Sequence, residues 1–271
     1  MNSLIHDIEQ VLNQWKVREM DQVVHFEAFN HYAIVHHSTT IEGSTLTETE
    51  TQLLLAEGIT PGGKPLLHSL MTQDHLTALQ LVLAHAQQKQ LPMVAWLQSI
   101  NAAVMRQTGS VYETPLGRID ATTGAFRKGN VRAGNTYFVN YDKVPALVTQ
   151  LCSQLAQQLQ TTGTPFEQLC LSFNAHFDLV SIHPFYDGNG CTARLLMNYV
   201  QAYFGLPPGI VFKEEKAAYF EALIATRASG DPEIFRNFMS GQYIRFLQQE
   251  MDRYEAARRP AKGSGFFTLL A

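Results

Sequence analysis

The stretch from Thr164 to Tyr203 constrains the chain most, because it admits one local arrangement: a helix, a short loop and a second helix. Thr164-Pro165-Phe166-Glu167 is a capping box with proline at the first helical position, a strong start signal. Phe166, Leu169, Cys170, Phe173, Phe177 and Val180 then recur at helical spacing, so this helix is central and buried on one face. Pro184 disfavours helix at His183 and ends it. The second helix starts near Asn189, runs through Leu195, Leu196, Tyr199, Val200 and Tyr203, and stops at Gly205, Pro207 and Pro208.

The loop between them, His183-Pro184-Phe185-Tyr186-Asp187-Gly188-Asn189-Gly190-Cys191-Thr192-Ala193-Arg194, combines groups that no packing requirement asks for. A glycine-rich loop entering a helix N-terminus is an anion site, because the first N–H groups lack intrahelical partners and the helix dipole favours negative charge there. Gly188 and Gly190 allow close backbone approach, and Asn189 can donate its amide to a phosphoryl oxygen. Asp187 is a hard oxygen ligand of the kind Mg²⁺ takes beside phosphates and water. Arg194 offers a planar fork, and His183 is suited to moving a proton near neutral pH. Asp-Gly-Asn-Gly is also an ordinary turn sequence, and that reading stays open. An EF-hand is excluded, since the spacing and terminal Glu are absent.

Elsewhere the pattern is again helical, over 3–18, 22–37 (with Gly43 as stop), 74–90, 92–107, 143–161, 213–228 and 231–257. Thr45-Leu46-Thr47-Glu48 reads as a capping box opening a helix through Leu53–Leu55. Residues 109–141 differ: glycines alternate with β-branched and aromatic residues, which predicts short strands in a hairpin or flap. From Arg258 the sequence reads as a loose end. Net charge is −4, with 45% hydrophobic residues, which argues against a general nucleic-acid or anionic-membrane binder. No apolar run reaches membrane-spanning length, and MNSLIHDIEQ lacks the pattern of a signal peptide. Cys152, Cys170 and Cys191 are too few for a disulfide framework, so a reducing cytoplasm is the expected compartment.

The loop resembles the signature of the Fic family, His-x-Phe-x-(Asp/Glu)-Gly-Asn-Gly-Arg-x-x-Arg, matched at His183, Phe185, Asp187, Gly188, Asn189, Gly190 and Arg194. Ser38-Thr39-Thr40-Ile41-Glu42-Gly43 is similar to that family's inhibitory motif, (Ser/Thr)-x-x-x-Glu-(Gly/Asn), in the class that carries it N-terminal to the core. The resemblance implies a mainly α Fic-type helical bundle with a short β-hairpin flap over the active site. Its divisions would be an N-terminal extension over 1–60, a core over 61–250 and a tail over 251–271.

The implied activity is transfer of AMP from ATP, with Mg²⁺, to a Ser, Thr or Tyr hydroxyl of a target protein docked along the flap near 124–132. In that scheme His183 is the base and Asp187 holds Mg²⁺. Gly188, Asn189 and Gly190 surround the phosphates, Arg194 meets the γ-phosphate, and Tyr219 is an adenine-pocket residue by position. Glu42 and Ser38 would inhibit, Glu42 by pairing with Arg194 in place of the γ-phosphate. A homodimer is a candidate assembly, and no nucleic acid or membrane is expected.

Cys191 departs from the signature, standing where the family has its first arginine, a phosphate contact. A thiol supplies neither that charge nor that fork. Two consequences compete: altered nucleotide use, or compensation by Arg127, Lys128 or Arg132 from the flap. A degenerate site that binds nucleotide as a regulator, another donor, and removal of AMP are the rival readings.

Overall fold

The computed structural model describes residues 2–20, 26–134 and 136–258. The central pair is α7 (Pro165–Ile182) and α8 (Asn189–Tyr203). The capping box forms as the residues demand: Thr164 Oγ1 accepts from Glu167 N, and Glu167 Oε2 accepts from Thr164 N. Leu169, Phe173 and Leu179 of α7 are fully buried, as are Leu195, Leu196 and Tyr199 of α8. Each such side chain contributes roughly 1.5–3 kcal/mol on removal from water.

Eight further helices surround this pair among the described residues. They are α1 (Asn2–Val17), α2 (Phe26–Ile41), α3 (Glu48–Glu57), α4 (Leu66–Gln87), α5 (Val94–Val104), α6 (Val144–Thr161), α9 (Lys216–Ser229) and α10 (Pro232–Arg258). Helices α4 and α5 pack on α8, α6 packs on α7, and α2 lies on α4. Two antiparallel hairpins occupy the segment between α5 and α6: β1 (Val111–Thr114) with β2 (Gly117–Asp120), and β3 (Arg132–Ala133) with β4 (Thr136–Tyr137). The mainly α class with a small β flap is as expected.

Several boundaries differ from the periodicity reading. The cap of α3 is Thr47 with Glu50, not Thr45 with Glu48, because Thr45 is held by His68 and Lys64 instead. Helix α4 begins at Leu66, eight residues before the predicted 74, since Pro65 pre-sets its entry. Helix α2 continues to Ile41, so Ser38–Ile41 form its last turn, and Gly43 ends it at φ 110°. The predicted start of that helix at 22, and the loose end beyond Arg258, lie outside the described residues. No described helix is long and apolar enough to cross a membrane.

Candidate active site

The loop geometry follows from three local devices. His183 adopts φ 52° and ψ 59°, a left-handed cap that closes α7, with its N–H donating to Leu179 O. A non-glycine residue there stores strain, which surrounding contacts must hold. Arg127 does much of that holding. Its buried guanidinium donates to the carbonyls of His183, Gly129 and Val139, while its N–H donates to Pro184 O. Asn189 clamps the loop from the other side: its Oδ1 accepts from Phe185 N and its Nδ2 donates to Phe185 O, both at 2.9 Å. Asn101 of α5 adds a third tie, donating to Asp187 O and Thr192 Oγ1.

Asn189 Oδ1 and one Nδ2–H are thus taken by the loop's own backbone. Arg127 is tied down by three carbonyls. Lys128 and Arg132 are exposed on the flap.

Arg194 and Glu42, 152 residues apart in sequence, meet at the N-terminus of α8. Arg194 Nη2 donates to Glu42 Oε1 at 2.7 Å, Nε donates to Ser38 Oγ at 2.8 Å, and Nη2 also reaches Ser38 O at 3.2 Å. The arginine side chain is 3% exposed and the glutamate 37%. Burial is the largest influence on Arg194 and opposes its charge, but Glu42, Cys191 and Tyr219 together outweigh it and keep the guanidinium ionised. Gly190 makes room for the carboxylate: a Cβ on it would lie 2.4 Å from Glu42 Oε1, so a larger residue would displace the Glu42 side chain. Gly188, at φ 73°, caps α8 in a conformation that L side chains rarely adopt.

His183 is stacked face to face under Phe138, ring centroids 3.9 Å apart. Burial pushes its imidazole down to about 4, with the Val180 carbonyl partly opposing. Arg227 covers the far face of this arrangement, 5.6 Å from the Phe138 ring, and donates to Ser181 Oγ. Tyr219 lies behind Arg194 in the core, its hydroxyl 3.0 Å from His176 Nε2, rather than on an open wall. Burial pushes that hydroxyl up to about 12, with Arg194 opposing.

A cavity of about 230 Å³ adjoins the pair, lined by Glu42, His75, Asp187, Gly188 and Cys191 among others. Asp187 is exposed, with one carboxylate oxygen accepting from Gly188 N. Glu42, Asp187, Gly188 and Cys191 thus line one cavity, Ser38 and Gly190 lie against the Glu42–Arg194 pair at its edge, and His183 sits on the same loop under the flap. Sequence reasoning missed Asn101, His75 and the clamping role of Arg127. Buried polar side chains on distant elements have no local signature, although a histidine in the apolar run of α4 was a weak cue.

The profile of the Fic/DOC family matches residues 90–201. Protein adenylyltransferase Fic of Drosophila melanogaster is 28% identical over 207 residues, covering 76% of this chain and 39% of that protein. Protein adenylyltransferase fic-1 of Caenorhabditis briggsae is 26% identical over 239 residues, covering 86% and 43%. The chain therefore spans about two fifths of the length of these curated relatives. In fold it is similar to a Fic-domain-containing signaling protein from Bacteroides thetaiotaomicron, with a TM-score of 0.79 at 24% identity, covering 92% of this chain and 98% of that one. Fic-1 from C. elegans superposes with a TM-score of 0.75 at 20% identity, covering 94% and 73%. From Leu179 to Arg194, the strained histidine, the clamped loop and the glycine-lined helix start all fall inside the segment, residues 90–201, that matches the Fic/DOC family profile.

Proposed function

We propose that this chain is a protein adenylyltransferase, moving AMP from ATP to a Ser, Thr or Tyr hydroxyl of a target protein and restrained by Glu42. The observation that carries the reading is the Glu42 carboxylate seated between Gly190 and Arg194 at the start of α8. A helix terminus of this kind favours an anion, and here one of the chain's own carboxylates fills the seat. The names of the Drosophila and Caenorhabditis relatives support the activity.

In this reading His183 is the base. An imidazole pushed down to about 4 is neutral at pH 7 and free to accept a proton. It takes the proton of the target hydroxyl as that oxygen bonds to the α-phosphorus. The bond from the α-phosphorus to the oxygen bridging to the β-phosphate breaks, and pyrophosphate leaves. Gly188 and Gly190 let the phosphates approach the first N–H groups of α8, while Asn189 keeps the loop in shape. Arg194 meets the terminal phosphate once Glu42 has left, with Ser38 orienting the fork and Tyr219 bracing it from the core.

Among the described residues no trio of His, Cys, Asp or Glu forms a dedicated metal cage. Asp187 alone presents a hard carboxylate at the cavity, which fits Mg²⁺ completed by phosphates and water. When bound there, Mg²⁺ neutralises phosphate charge. The target's backbone would pair along the flap near 124–132, as an added strand. Residues 1–60 act as the inhibitory extension to a core over 61–250. The free thiols of all three cysteines suit a reducing cytoplasm.

The test is intact-mass analysis after incubation with ATP and Mg²⁺. Glu42→Gly is expected to gain AMP where wild type gains less, and Glu42→Gly/His183→Ala to gain none. Equal labelling of both variants refutes the assignment. Absence of label with retained nucleotide binding favours the regulator or alternative-donor reading, and Cys191→Arg then tests whether the missing guanidinium is the cause.

A further inference from the structure

His75, on α4, is 1% exposed and lines the 230 Å³ cavity together with Glu42, Asp187, Gly188 and Cys191. Neither of its ring nitrogens has a hydrogen-bond partner, and neither does Nη1 of the neighbouring Arg194. Such orphans are costly, and native interiors pair nearly all of them. Of the other two fully buried histidines, His36 meets Thr51 and Lys213, and His176 meets Tyr219 through Nε2 while its Nδ1 has no partner, so of these three His75 is the one with neither nitrogen paired. No lysine or arginine is among the lining residues, so His75 is the one basic side chain on the cavity wall among the described residues. Cys191, on the same wall, is a buried thiol that burial pushes up to about 11, and it carries no charge to offer.

We infer that His75 is a further nucleotide-binding residue, donating an N–H to the terminal phosphate of the donor nucleotide in the cavity beside Cys191. This rests on the adenylyltransferase reading and deepens it. Glu42 lies against Gly190 and Arg194 and lines the same cavity as His75, so when it leaves its seat the vacated space opens to both Arg194 and the His75 wall. The unpaired Arg194 Nη1 and the unpaired imidazole are then two donors facing one anion, in the region where Cys191 supplies none. Burial, with Arg194 adding to it, pushes His75 down to about 3, so the free protein holds a neutral ring with one N–H to give. The unpaired state in the absence of ligand is the counterpart of a polar group reserved for binding.

The experiment is calorimetric titration with ATP, ADP and AMP on the Glu42→Gly/His183→Ala chain, in which turnover is suppressed. Adding His75→Leu is expected to weaken ATP binding about tenfold or more, the worth of a hydrogen bond to a charged group. AMP binding should stay within about twofold, because AMP lacks the distal phosphates. The melting temperature should hold or rise, since leucine fills the site and removes the orphaned nitrogens. His75→Gln, which keeps an N–H donor, is expected to bind ATP more tightly than His75→Leu.

ATP affinity unchanged by His75→Leu overturns the inference while leaving the proposed function intact. Parallel weakening of ATP and AMP together with a lower melting temperature also overturns it, by showing a merely structural role. If the parent chain binds no ATP at all, the proposed function itself fails, and this inference with it.

Discussion

Acidification from pH 7.5 to pH 5 should strip this fold of much of its stability through three buried imidazoles. His36, His75 and His176 are each no more than 1% exposed. Burial dominates all three: it pushes His36 to about 4 and His75 to about 3, and His176 well below its usual value. The fold excludes the imidazolium, whereas the unfolded chain accepts a proton near pH 6.5. Stability from these groups is therefore full above pH 6.5 and is lost as pH falls through 6.5 toward 4.

At pH 5 the unfolded state has gained about 2 kcal/mol per histidine, or about 6 kcal/mol for three, against a typical domain stability of 5–15 kcal/mol. Most carboxylates titrate below this window, while Asp178 and Glu250, pushed up by burial, oppose the histidine trend. Urea unfolding followed by circular dichroism should show stability falling by about 4 kcal/mol per pH unit or more between pH 6 and 5, since burial also pushes His37 down to about 3 and His183 to about 4. His75→Leu should reduce that slope by about one proton, or 1.4 kcal/mol per unit. A stability that changes by less than about 1 kcal/mol between pH 7.5 and 5 would refute the argument that these rings are held neutral by burial.

Other outcomes follow from single contacts. Glu42→Gly removes the anion facing a buried guanidinium, which should cost about 1–3 kcal/mol, discounted from the fully buried case because Glu42 is 37% exposed. Added ATP should recover part of that loss in a thermal melt. Gly190→Ala collides with Glu42 Oε1, so its destabilisation should shrink by at least about 1 kcal/mol in the Glu42→Gly background. Arg127→Leu strips three part-buried carbonyls of their donor and should cost about 2–3 kcal/mol, read by urea unfolding, while lowering AMP transfer by freeing the strained His183. Because His183 is already neutral, kcat/KM of the Glu42→Gly enzyme should not fall between pH 8 and pH 6; an acid limb near 6.5 would contradict its burial.

The elements legible in the sequence are those whose cause lies within one or two helical turns. Thr164 and Glu167 cap α7 because they are three residues apart, and Gly188 caps α8 because no other residue tolerates its backbone angle so cheaply. The glycine-rich helix start was readable for the same reason, and the link between Glu42 and Arg194 entered through resemblance to a family rather than through spacing. The cap of α3 was misplaced by two residues, since two overlapping Thr-x-x-Glu patterns compete and tertiary contacts to His68 and Lys64 decide between them.

What the sequence by itself determined is the helix–loop–helix with its anion-favouring glycines and its histidine, because capping, periodicity and backbone sterics act over a few residues. Only the tertiary structure decided that Arg127 ties down carbonyls and Asn189 clamps Phe185, that Tyr219 is buried beside His176, and that His75 shares a cavity wall with Cys191 with its nitrogens unpaired. Those assignments depend on which buried polar group finds a partner. Partners are brought together by packing across elements far apart in the chain, so no local pattern encodes them.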